Sequence, residues 1–153
     1  MIMDAKGKGA GNDKRERVQS ILMEVEGYRR QMESSKSEVR FLDATLEELR
    51  SSVEAIEALK ENKDGTEMLV SIGSGSFIKA QLKDTGKVIV GVGAGLSVEK
   101  DLDAARKILE ERSQEIIRAM ERFQNNAAEM NERMMELDQE YRQIMAELQA
   151  EPR

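Results

Sequence analysis

Two long stretches of seven-residue apolar repeat flank a central segment, Met68 to Val98, where the repeat gives way to short β-prone runs separated by glycine. A strand-rich segment in the middle of a rod has to pair with something. The run LVSIGSGSFIKAQLKDTGKVIVGVGAG is too small to bury a core of its own and leaves strand edges open. Its pairing partners are therefore expected to be other chains.

On the N-terminal side, steps of three and four residues give Val18, Ile21, Val25, Tyr28, Met32, Ser35, Val39, Leu42, Leu46, Leu49, Val53 and Ile56, with Ser35 the one break in the apolar series. Sustained spacing of this kind marks the seam of a left-handed coiled coil. On the C-terminal side the stepping resumes at Leu102, Leu109, Ile116, Met120, Phe123, Ala127, Met130, Met134, Leu137, Tyr141, Ile144 and Leu148, with Arg106 and Ser113 as polar interruptions. Asn62-Lys63-Asp64-Gly65 supplies a helix stop, and Asp101 and Asp103 put acid where a helix start favours it. A helix of about 45 residues spans roughly 70 Å and cannot stand alone with one apolar seam.

The pattern predicts a mainly α chain with a small β insert. A long antiparallel coiled coil is joined by two β-hairpins that complete a sheet or barrel between subunits. The expected organisation is a disordered extension over 1–13, a helix over 14–63, hairpins over 64–98, a second helix over 99–150 and a tail over 151–153. Strands are expected near Met68–Ile72, Ser76–Leu82, Lys87–Val92 and Leu96–Val98. Two registers satisfy the seam. One sets Val53 opposite Leu102 and Val25 opposite Met130. The other, one heptad away, sets Val53 opposite Leu109 and Val25 opposite Leu137. The sequence leaves both open. In either, the chain ends lie together, far from the hairpins.

Composition narrows the chemistry. Charged residues make up 35% of the chain and aromatics 3%, which suits helices with narrow seams better than a large globular core. The net charge of −6 disfavours phosphate backbones, so nucleic acid is not an expected partner. Cysteine and histidine are absent, which leaves no thiol nucleophile, histidine base or cysteine–histidine metal site. No apolar run approaches the roughly 20 residues of a membrane span. A cytoplasmic location without membrane attachment is expected. Gly91, Gly93 and Gly95 fit neither a dinucleotide fingerprint nor a phosphate loop, and are assigned to turns and close strand packing. No catalytic residues, metal or cofactor are expected.

Two candidate surfaces emerge. The hairpin residues Leu69, Ile72, Phe77, Ile78, Ala80, Leu82, Val88, Val90, Val92 and Leu96 are expected to build the oligomerisation platform. At the chain ends, Leu22, Met23, Met135 and Met145 lie off the seam. Methionine is flexible and polarisable, and such a surface adapts to many apolar segments. If the helix ends splay, Val18, Ile21, Val25, Met134, Tyr141, Ile144 and Leu148 become available beside them as apolar surface. A structural alternative is a filament propagated by the same hairpins.

The short runs Ile72-Gly73, Ser76-Phe77-Ile78-Lys79-Ala80 and Val92-Gly93-Ala94-Gly95, followed by Glu99-Lys100 and the second helix, resemble the α-type subunits of archaeal prefoldin. The likeness runs along nearly the whole chain. Departures are the Gly/Lys-rich start through Asn12 and Ser71, where the family more often has proline. The resemblance implies an ATP-independent chaperone of two α-type and four β-type subunits. Their hairpins assemble into a double β-barrel platform. The coiled-coil tips hold non-native proteins and deliver them to a group II chaperonin.

Overall fold

The computed structural model describes residues 5–150, with side chains from residue 11 onward. The order is α1 (Ala5–Glu61), β1 (Glu67–Gly73), β2 (Ser76–Gln81), β3 (Lys87–Gly93), β4 (Leu96–Asp101) and α2 (Leu102–Ala150). Helix α1 therefore begins well before residue 14. The Gly/Lys stretch has no apolar period and its glycines each disfavour a helix by about 1 kcal/mol, but it contains no proline to stop one already nucleated. Residues 1–4 and the tail over 151–153 lie outside the described residues.

The chain divides into a hairpin unit, Leu42–Ala119, and a chain-end unit made of the arms up to Phe41 and from Met120. In the hairpin unit, β1 pairs with β2 and β3 with β4, each antiparallel, as two separate two-stranded sheets. The hairpins are repeats. Glu67↔Gln81 through Ser71↔Phe77 in the first matches Lys87↔Asp101 through Gly91↔Ser97 in the second, followed in both by a one-residue bulge. Both turns place two left-handed residues at the tip, Ser74 (φ 50°) with Gly75 and Ala94 (φ 50°) with Gly95. That geometry matches the twist of the flanking strands, and it strains Ser74 and Ala94, which are not glycine.

The second helix starts later than residue 99 because Glu99, Lys100 and Asp101 complete the β3–β4 ladder opposite Ile89, Val88 and Lys87. Asp101 then caps α2, its Oδ1 accepting a hydrogen bond from the Ala104 N–H at 2.8 Å. The turn between α1 and β1 is tied to the connection between β2 and β3. Asp64 Oδ1 accepts from the Thr85 N–H at 2.9 Å, and Gly65 N–H donates to the Leu82 carbonyl at 2.8 Å. The Thr85 backbone bond holds the Asp64 carboxyl below its ordinary range.

The core of the hairpin unit consists of Ile56, Val90, Ala105 and Leu109, with Leu49, Val53, Val88, Leu102 and Ile108 packed against it. Hairpin β3–β4 thus lays its Val88/Val90 face on the helix pair, and Ala105 and Ile108 widen the seam to receive it. Arg112 fixes the strand by donating from Nη2 to the Gly91 carbonyl. Arg106, a break in the apolar series, pairs with Glu57 at 3.2 Å. Ser113, the other break, returns its hydroxyl to the Leu109 carbonyl at 2.9 Å.

Of the two registers, the structure adopts the one with Val53 opposite Leu109. Glu57 meets Arg106 one turn along from that pair, and Lys60 meets Asp103 at 2.8 Å one turn further. In the chain-end unit the same register brings Ser35 and Val39 together with Ala127 and Phe123, and Ile21 and Val25 together with Tyr141 and Met134. Ile21, Met130 and Leu137 are buried there.

Candidate functional site

Two surfaces stand out, one in each unit. On the hairpins, strand alternation sorts the side chains into faces. Met68, Val70, Ile78 and Ala80 share one face of β1–β2, since Met68 pairs with Ala80 and Val70 with Ile78. Val88 and Val90 are their repeat equivalents on β3–β4. The equivalents differ in their surroundings. Val90 is 5% exposed against its own helices, whereas Val70 is 37% and Ile78 50% exposed.

Val88 and Val90 therefore belong to the internal core rather than to an outward platform, a correction to the sequence expectation. Its cause is the packing partner: β3–β4 follows directly into α2 and folds onto the helix pair, while β1–β2 does not. Leu69, Ile72, Phe77, Ile78, Val92 and Leu96 are exposed as expected, and Ala80 and Leu82 are half-buried. Met68, Val70 and Ile89 were missed by sequence reasoning and are also exposed. Period-two alternation through Met68 and Val70 was the signal that could have found them. Among the described residues each hairpin carries two unpaired strand edges, since neither sheet extends beyond two strands.

In the chain-end unit an open groove of about 640 Å³ runs between α1 and α2. Ile21 and Val25 from α1 and Met134 and Tyr141 from α2 form its floor, and Leu22 and Met135 its walls. Leu22 is 55% and Met135 58% exposed, while Ile21 is 1% exposed and serves packing. Val18, Met23, Ile144, Met145 and Leu148 do not line it. Met23 is exposed on another side of α1, and the other four are half-buried.

Arg29, Arg142, Asp138 and Gln139 complete the lining and were missed by an argument confined to apolar residues. Heptad spacing could have found two of them, because Arg29 lies seven positions after Leu22 and Arg142 seven after Met135. In the same unit, Arg17 forks onto Glu140 with Nε–Oε1 at 2.6 Å and Nη2–Oε2 at 2.7 Å, linking α1 to α2. That bidentate bond holds Glu140 below its ordinary carboxylate range and raises Arg17. Lys14 and Glu147 form a second cross-helix pair at 3.3 Å.

Among the described residues, no cluster of three or more acidic side chains could hold a metal, and no helix is long and apolar enough to cross a membrane.

A family model described as prefoldin subunit matches residues 28–147, which contain both hairpins and most of both helices. The chain belongs to the prefoldin family. As a prefoldin it is a chaperone subunit, and the match accounts for the two-hairpin layout between coiled-coil arms. Its type is α, and its relatives are archaeal. The prefoldin subunit alpha of Methanobrevibacter smithii is 28% identical over 131 residues, covering 86% of this chain and 89% of that protein. Among solved structures, a cryo-EM structure of filamentous PFD from Methanocaldococcus jannaschii superposes with a TM-score of 0.69 at 28% identity, covering 75% of this chain and 95% of that one. The prefoldin beta subunit from Thermococcus strain KS-1 shares the fold, with a TM-score of 0.54 at 19% identity, covering 88% of this chain and 94% of that one.

Proposed function

We propose that this prefoldin subunit is an ATP-independent holdase that captures non-native polypeptides on its chain-end helices and passes them to a group II chaperonin in the cytoplasm. The observation that carries the reading is the groove walled by Leu22 and Met135, an open apolar surface next to packed seam residues. Burying apolar surface at about 25 cal/mol per Å² gives weak single contacts, which several arms acting together strengthen by avidity. The client-contact residues of this reading are Leu22, Met134, Met135 and Tyr141, with Ile21 and Val25 as the floor.

Assembly follows from the hairpins. Met68, Val70 and Ile78 on β1–β2 keep 41%, 37% and 50% of their surface exposed, and four open strand edges among the described residues invite pairing. The partners of this reading are β-type prefoldin subunits, in a hexamer of two α-type and four β-type chains. One observation favours a second reading. The similarity to a filamentous PFD makes a homopolymer built on the same open edges the alternative.

The test of the holdase reading is light scattering from a chemically unfolded client diluted into buffer with the assembled complex. Suppression of scattering that is unchanged by ATP supports it. A complex that assembles and leaves client aggregation unaltered refutes it.

A further inference from the structure

We infer that one flank of the chain-end unit docks an amphipathic helix whose apolar stripe is bordered by acidic residues. The inference rests on the client-holding reading and specifies the chemistry of what is held. A second opening, of about 310 Å³, lies where Ser35 and Ala127 leave the seam thin between Met32, Val39 and Phe123. It opens on the same side of the coil as the first groove. Leu22 and Arg29 wall the first groove and Lys36 the second, and these three are spaced seven apart, so they share one line along α1. From Leu22 to Lys36 is about 21 Å of helix. The flank therefore offers two apolar recesses in line, two heptads apart.

The charge along this line runs against that of the chain. Arg29, Lys36, Arg40 and Arg142 line the recesses against Asp138 alone, in a protein of net charge −6. Arg142 is already paired with Asp138 at 2.8 Å and Lys36 with Glu33 at 3.8 Å. Arg29 and Arg40 are exposed and make no ion pair or hydrogen bond among the described residues. Two free guanidinium groups beside apolar recesses complement carboxylates beside apolar side chains.

A helix fits this track better than an extended segment. The flank of a helix pair has no free backbone donors or acceptors to satisfy an extended chain, whereas a helix satisfies its own. A docked helix also repeats its apolar positions at the same heptad spacing as the recesses, turning the two-helix coil locally into a three-helix bundle.

The experiment uses the complex assembled with a β-type partner and three labelled peptides of about 18 residues, long enough to reach both recesses. One is an amphipathic helix with glutamates beside its leucine stripe. The second replaces those glutamates by lysines. The third keeps the glutamates and carries a central proline. Fluorescence anisotropy should show the first binding about tenfold tighter than either other peptide, with the advantage over the lysine peptide shrinking at high salt. The charge preference should vanish in the double variant Arg29→Gln/Arg40→Gln and survive in Arg29→Lys/Arg40→Lys. Equal binding of the glutamate and lysine peptides, or full binding of the proline peptide, overturns the inference. If that happens while Leu22→Ser/Met135→Ser still weakens suppression of client aggregation, the holdase reading stands without it. If no peptide binds and the Leu22→Ser/Met135→Ser complex suppresses aggregation as well as wild type, both fall.

Discussion

Val70 and Val90 occupy equivalent places in the two hairpins, so the same truncation at each separates intrachain packing from assembly. Val90→Ala removes two methyl-sized groups from the core formed with Ile56, Ala105 and Leu109. At about 0.8 kcal/mol per group the lost transfer energy is about 1.6 kcal/mol, and incomplete collapse of the space raises the cost to about 2–3 kcal/mol. For a chain of this length that lowers Tm by about 4–12 °C. Val70 is 37% exposed on a face with no helix over it, so Val70→Ala costs the isolated chain less than about 1 kcal/mol. Thermal unfolding followed by circular dichroism, with the chain alone and dilute, reads the first effect. Titration with a β-type subunit under native mass measurement reads the second, where Val70→Ala should weaken assembly. A Tm loss for Val70→Ala equal to that for Val90→Ala would refute the reasoning, because β1–β2 would then be packed on its own chain.

In the chain-end unit, Leu22→Ser with Met135→Ser should leave assembly intact and weaken suppression of client aggregation several-fold, while Met23→Ser, outside the groove, should change little. Light scattering on the intact complexes checks both. Ser35→Leu should raise Tm by filling the recess opposite Ala127, a gain on the order of 1 kcal/mol from buried apolar area, and should weaken binding of peptides that need that recess. An unchanged or lowered Tm would show that the seam there is already full. Acid should loosen both units. Glu140, held down by Arg17, Asp103, held down by Lys60, and Asp64, held down by the Thr85 N–H, all have folded-state pKa values below their unfolded values. Their contribution is complete above the ordinary carboxylate range near pH 4 and is lost as pH falls through the depressed values. Urea midpoints measured across acid pH should therefore decline below about pH 4, and Glu140→Gln should flatten part of that decline.

Much of this architecture was legible because coiled coils write themselves in a simple period. The series from Val18 to Ile56 and from Leu102 to Leu148 gives both helices, and Asn62-Lys63-Asp64-Gly65 and the glycine pairs give the turns. The register was not legible, because a shift of one heptad keeps every apolar residue on the seam. What distinguishes the registers is lateral charge pairing such as Glu57 with Arg106, which lies outside the apolar count. The start of α2 was misplaced by three residues because Glu99-Lys100 suits a helix start as well as a strand end. Only the ladder to Ile89 and Val88 decides it. The functional surfaces were half legible. Exposed Leu22 and Met135 follow from their off-seam positions. The inward turn of Val88 and Val90 depends on tertiary packing that no local pattern contains, and the arginines of the groove carry no apolar signal.

In the reading proposed above, the hairpins of this prefoldin subunit are completed by other chains in a closed assembly. Native mass measurement of the purified chain, alone and mixed with a β-type prefoldin subunit, tests it most directly. The expected result is one defined species of two chains of this protein with four of the partner. Open-ended homopolymers that persist when the partner is added, or a chain that remains monomeric in its presence, would contradict it.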